Sequence, residues 1–541
     1  MRAGLPPQMT PAPPTGTEAQ TPEATNPPAR PRKRRLLLPG LAIGLALVLT
    51  GIGAILVSSA YDDPREERAL GRNLPINEGA RNPVDLSAHN SPTIVRNPRA
   101  EDNLVIANRI DSPTYSCAIA TSLDGGASWN PTVIPAPSRN SGKCYAPDVS
   151  FAADGTLYLV FVTLKGRANV PNAAWLSTST DGGRTMSRPV RTPLGKRAFQ
   201  VRVSADTRNQ RRLYLTWLAA SDVGLYKFTE PGNPIQTIRS EDGGRTWTDP
   251  VRVNDAKRVR AIAPSPAVGP EGELYVLYLD LGEDRLDYEG GHRGRGGPPY
   301  DGRWQLVLAR STNRGASWTE SVVEDSLVPT ERFIAFTPPF PAIAVDGERI
   351  YAAYQDGRLG DADVNLWSLA PGESSWRGPL RVNDTRRRDG TSQYLPELAV
   401  APDGRLDVVY FDRRDDRSNV LNEVSLQSSF DSGSSFRERI QLSDQPFSSR
   451  IGFGGERGMP DLGSRLGLVS TDSVAYAVWT DTRAGTRRSG KQDLARGVVG
   501  VTNPERLPGW LESLLRYGGI ALIVLGAAAL AVTVARFRRP A

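Results

Sequence analysis

Three apolar runs end in an aspartate followed two residues later by an arginine: YQDGR holds Asp356 and Arg358, YFDRR Asp412 and Arg414, and WTDTR Asp481 and Arg483. A fourth, YLD, ends in Asp280 alone. A carboxylate and a guanidinium at this spacing form a charge-assisted pair, which either fixes a loop or offers a polar ligand a donor fork beside an acceptor. Recurrence favours the first role and leaves the second open. Arg258, Arg260, Arg332, Arg386 to Arg388, Arg450 and Arg457 crowd other connections, where several together suit an anion and each alone suits solvent. The insertion from Leu281 to Gln305 is rich in Gly and charge and carries Tyr288, Glu289 and His292, which makes it a candidate binding loop. Asp361, Asp363 and Asn365 alternate oxygen ligands that suit calcium, but the rest of an EF-type loop is missing. No cofactor and no resident metal are therefore expected, with calcium the one candidate. The only histidines are His89 and His292, and no zinc spacing, P-loop or Ser-His-Asp pattern occurs.

The elements that position these groups are announced by a repeated turn. SLDGGASW at Ser122 to Trp129 recurs as STDGGRTM to Met186, SEDGGRTW to Trp247, STNRGASW to Trp318 and SFDSGSSF to Phe436, with a worn copy, SLAPGESSW, ending at Trp376. Each letter has a local reason. Ser122 and Ser128 close short bonds, Asp124 accepts N–H groups across the turn, Gly126 tolerates positive φ, and Trp129 offers an apolar face. The anchors Asp124, Asp181, Asp242, Asn313, Ala370 and Asp431 fall 57, 61, 71, 57 and 61 residues apart, the signature of repeat architecture. Three apolar runs precede each turn, as PDVSF, LYLVFV and AAWLS do before the second.

The turn resembles the Asp box of bacterial neuraminidase repeats, found in sialidases and in many propellers that are not sialidases, and the resemblance covers residues 72–501. It implies an all-β propeller of four-stranded blades, with the boxes on the face away from the active site. First strands start near Pro92, Pro147, Val201, Pro266, Pro341, Pro396 and Pro460, so seven blades are expected, six being the alternative. The last unit has no fourth strand of its own. Residues 74–78, LPINE, resemble the fourth-strand segments PVRVND and PLRVND and are expected to close the ring there. Tested residue by residue, the resemblance splits. Asn90 stands where the family has its carboxylate-binding arginine, while Arg109 and Asp111 follow strand two, with Asp111 where the catalytic acid belongs. Tyr394 with Glu397 is the candidate for the family's nucleophile pair.

The net charge of +7 resolves into +4 over residues 1–35 and +3 over 536–541, leaving a neutral body with no general field for nucleic acid. Residues 1–35 read as a disordered basic tail. Residues 36–57 and 517–535 are long and apolar enough to cross about 30 Å of hydrocarbon, a signal peptide being the rival for the first. A linker is expected at 502–516 and a second basic tail at 536–541. Basic clusters on the terminal side of both spans place both termini in the cytoplasm and the propeller outside the cell membrane. There Cys117 and Cys144, the only cysteines, are expected to form a disulfide across neighbouring blades, two buried thiols being the alternative. The expected function is a recognition or assembly module for a glycan or extracytoplasmic protein. The alternative is an exo-sialidase-like glycoside hydrolase with Asp111 as general acid.

Overall fold

The computed structural model describes residues 34–60, 65–502 and 509–538, apart from 78, 80–83, 136, 138–141, 167–168, 207, 220–226, 229–231, 288–299, 331–337 and 453–460. It divides into a helical unit drawn from both chain ends and a β unit from Glu66 to Thr502.

The β unit is a seven-bladed propeller. Blades 1 to 6 begin at the strands His89–Asn97, Lys143–Phe151, Ala198–Ala205, Ala261–Val268, Ala342–Asp346 and Gln393–Val400, and each runs outward through antiparallel neighbours to a fourth strand. Blade 7 takes Gly467–Ser470, Val474–Asp481 and Asp493–Thr502 from the chain's end, and its outer edge from the chain's beginning. Glu66–Ala69 pairs with Val499 to Thr502, and Leu74–Pro75 pairs with Ala495 and Arg496. Asn77 then accepts the Leu494 N–H at 2.7 Å, as Asn254 accepts from Ile235 at 2.8 Å and Asn383 from Val364 at 2.9 Å. The N-terminal segment is thus a fourth strand in hydrogen-bonding detail, and the pairing starts at Glu66, ahead of the expected 72.

Strand two of each blade is almost wholly buried, as in Leu157–Lys165, because it meets apolar neighbours on both faces; continuous apolar runs are the result. The repeated turns share one bonding scheme. In the first, Ser122 Oγ donates to Asp124 at 2.8 Å and accepts the Gly126 N–H at 2.8 Å, while the Ser128 N–H reaches Asp124 at 2.9 Å. The turns at Ser179, Ser240, Ser311 and Ser429 repeat it. Gly244, at φ 88°, packs so closely on Leu176 of the preceding blade that a Cβ would collide with it. Each turn therefore locks its own hairpin and seats it on a neighbour. A disulfide joins Cys117, on strand three of blade 1, to Cys144, on the innermost strand of blade 2, with Cα atoms 5.5 Å apart.

In the helical unit, α1 (Arg34–Ala60) and α2 (Gly509–Arg538) contain apolar stretches at Leu38–Val57 and Ser513–Arg536 with mean hydropathy 2.4 and 2.3, long enough to cross a membrane. Small residues set their approach. A Cβ on Gly51 would lie 2.5 Å from the Gly519 carbonyl, and one on Gly526 2.7 Å from that of Gly44. Residues 509–516, expected as linker, already belong to α2.

Candidate functional site

The innermost strands of blades 1, 2, 3, 4 and 6 share a device that no motif announced. Each is interrupted by a register shift, and each holds a residue there at positive φ: Ser91 (52°), Ala146 (49°), Gln200 (51°), Ala263 (57°) and Leu395 (56°). Bulges of this kind re-aim the following side chains, here around the propeller axis. The residues two positions on are Thr93, Asp148, Arg202, Ser265 and Glu397, and blade 7 adds Arg465 after Gly463 (φ 94°). Blade 5 contributes Phe340 instead, its N–H donated to the Ser464 carbonyl at 3.1 Å and its ring 5.3 Å from the Arg202 guanidinium. The aligned positions in blades 4 and 7 are Pro264 and Ser464, not Pro266 and Pro460; Pro460 lies outside the described residues.

This ring is charge-compensated. Asp148 lies 3.2 Å from Arg202 and 3.8 Å from Arg465, and also accepts from Thr93 and the Val203 N–H. Above it, Arg109 pairs with Asp111 at 2.7 Å and with Asp461 at 2.5 Å, and donates to the Tyr145 hydroxyl at 2.8 Å. Asn90 donates to the other Asp111 oxygen at 2.9 Å. Arginines 109, 202 and 465 do converge on the axis, but four carboxylates, Asp111, Asp148, Glu397 and Asp461, converge with them. The cavity among Ser91, Arg109, Tyr145, Gln200, Phe340 and Arg465 measures about 40 Å³, room for a few waters.

Asp111 occupies the same blade position as Asp280, Asp356, Asp412 and Asp481, the last residue of strand two or the one after it. In blades 4 to 7 this carboxylate accepts the N–H two residues on, at 2.7 to 3.1 Å. In blade 1 that residue is Pro113, which has no N–H, and Arg109 and Asn90 take its place. The paired arginines reach a second acid. Arg358 bonds Asp356 at 2.6 Å and Glu324 at 2.9 Å; Arg414 bonds Asp412 and Asp384, each at 2.6 Å; Arg483 bonds Asp481 at 2.5 Å and also Asp444. Asp280 is met at 2.8 Å by Arg258 from the preceding connection. All four pairs clamp a strand-two turn to a neighbouring segment.

The remaining candidates scatter. Tyr394 bonds Asn422 and Arg413 and does not meet Glu397. Arg332, Arg457, Tyr288, Glu289 and His292 lie outside the described residues. The Asp363 carboxylate is engaged by Arg381 at 3.2 Å and Asn383 at 2.7 Å. Among the described residues no group of three metal-ligating side chains occurs.

Burial pushes Asp111 up to about 6, against the pull of Arg109, and pushes Glu397 up to about 7. A carboxyl raised in the folded state keeps a proton that the unfolded chain has lost, so its contribution is whole below about 4.5 and disappears as pH rises through about 7. The propeller is therefore expected to lose on the order of 2 kcal/mol through Glu397 between pH 5 and 8, and Glu397→Gln to flatten that loss. Urea midpoints of both proteins at the two pH values check it; parallel profiles contradict it.

No protein-family model matches the chain, and no curated protein matches it. Among solved structures it is similar to a protein of unknown function from Dyadobacter fermentans, at 13% identity over 81% of this chain and 99% of that one, with TM-score 0.45. It is likewise similar to a Hadza microbial sialidase at 12% identity over 74% of each chain, TM-score 0.42. An ulvan lyase matches at 12% identity over 76% of this chain and 93% of its own, TM-score 0.42. Likeness at this level carries no activity across, and the blades described above stand on their own strand pairing.

Proposed function

We propose that this protein is a membrane-anchored, extracytoplasmic recognition or assembly module on an Asp-box, sialidase-like propeller, with a glycan or an extracytoplasmic protein as its ligand. The observation that carries the reading is the small, charge-compensated cavity at the axis among the described residues. A small-ligand site usually encloses roughly 300–1,000 Å³, and a sugar carboxylate needs uncompensated guanidinium charge. A cavity of about 40 Å³ whose two lining arginines, Arg109 and Arg465, are already met by Asp111, Asp461 and Asp148 offers neither. The hydrolase reading draws on one feature, a proton held by Asp111 up to about pH 6, which a general acid requires.

The basic clusters beyond both apolar helices support a propeller outside the cell membrane and two cytoplasmic tails. Protease added to intact cells is expected to remove the propeller and spare a tag at either end. The full chain, purified in detergent, is expected to be retained on an array of glycans and extracytoplasmic proteins from its own cells. Tags digested from outside, or an array that retains nothing, would overturn the respective half of the reading.

A further inference from the structure

The flank of the propeller carries a cleft that the axis and the turns do not explain. Between the fourth strand of blade 5 (Arg377–Arg381) and the third strand of blade 6 (Leu421–Ser429), a cavity of about 490 Å³ is bordered by Arg358, Arg381, Asp384, Arg387, Gln427 and Phe436. That volume falls within the usual range for small ligands, which the axial cavity does not approach.

Its charges are mostly spent. Arg358 is held by Asp356 and Glu324, Arg381 by Asp363 at 3.2 Å, and Asp384 by Arg414 at 2.6 Å. Gln427 is fixed too, accepting from Tyr410 at 2.6 Å and donating to the Arg437 carbonyl at 2.8 Å. Arg387 differs. It is exposed, and among the described residues it makes no ion pair or hydrogen bond. The cleft thus combines one uncompensated guanidinium, a wall of immobilised polar groups with donors to spare, and a half-buried aromatic ring at Phe436.

We propose that this cleft binds a saccharide bearing a carboxylate, an inference that rests on the recognition reading above. Arg387 takes the carboxylate through paired N–H donors. The guanidiniums of Arg358 and Arg381, already ordered and neutralised by their partners, donate to uncharged hydroxyls without paying again for ordering. Phe436 receives the C–H face of a sugar ring, against the negative face of its π-system. An acidic peptide fits less well, because it brings several charges where the cleft has one free cation with Asp384 close in sequence.

Isothermal titration of the full chain in detergent with a hyaluronan tetrasaccharide is expected to show binding, and its carboxyl-reduced counterpart to bind at least about tenfold more weakly, as loss of one charge-assisted contact implies. Arg387→Ala is expected to reproduce that loss with an unchanged melting curve, since the side chain holds nothing, whereas Arg191→Ala on exposed blade 2 surface leaves affinity intact. Wild-type affinity in Arg387→Ala puts the saccharide elsewhere and overturns this site while the recognition reading stands. Equal binding of the reduced tetrasaccharide, tighter binding of a hexaglutamate peptide, or no binding at millimolar tetrasaccharide overturns the proposal; the array experiment above judges the wider reading separately.

Discussion

Arg405→Met is expected to destabilise the propeller by about 3–5 kcal/mol, the usual consequence of removing one partner from a buried ion pair. Both Arg405 and Asp407 have fully buried side chains, with Nε 3.0 Å from the carboxylate. The remaining guanidinium donors reach the Thr471 and Asp472 carbonyls at 2.8 and 3.2 Å, so the pair on blade 6 also holds blade 7. Methionine restores volume but leaves Asp407 with only the hydroxyls of Ser428 and Ser470, at 2.7 and 2.6 Å. Unfolding in urea followed by tryptophan fluorescence measures the loss, and Arg405→Met combined with Asp407→Leu is expected to recover much of it. A single-variant cost below about 1 kcal/mol contradicts the assignment.

The second large effect concerns ring closure. Ile76 is 3% exposed, its N–H donates to the Leu494 carbonyl at 3.0 Å, and it lies in an apolar cluster with Ile94, Leu104 and Val478. Ile76→Asp places an unpaired carboxyl there and is expected to cost at least about 4 kcal/mol. The strand Asp493–Thr502 then presents an open edge, and edges of that kind recruit other chains. Gel filtration is expected to show higher-order species, and limited proteolysis to cut near Arg496 before any other blade. A monodisperse variant with an unchanged melting curve contradicts the closure.

What the sequence discloses and what it hides divide along the range of the interactions. The turns at Asp124, Asp181, Asp242 and Asp431 are readable because their bonds join residues at most four apart. LPINE is readable as a missing fourth strand because Asn77 repeats the acceptor role of Asn254 and Asn383. The Asp–Arg pairs show in their spacing, though not their second partners, Glu324, Asp384 and Asp444. The axial ring stays hidden. Arg109 and Asp461 lie 352 residues apart, and no local pattern links them. Arg202 and Glu397 reach the axis through bulges and Arg465 follows Gly463 at positive φ, and anchoring blades 4 and 7 at Pro266 and Pro460 rather than Pro264 and Ser464 breaks the one alignment that would reveal them. Asp111 is legible by position alone; its enclosure by Arg109 and Asn90 depends on two strands meeting.

The central claim, recognition without hydrolysis, is tested most directly by release of a fluorescent leaving group from a sialoside. The full chain in detergent and its Asp111→Ala variant are assayed between pH 4 and 8, with glycan binding measured on the same samples. The account predicts no turnover by either protein above the uncatalysed rate, together with retained binding. Turnover by the wild type that falls roughly 10²- to 10⁴-fold in Asp111→Ala, with the fold intact, would show a general acid at work and contradict it.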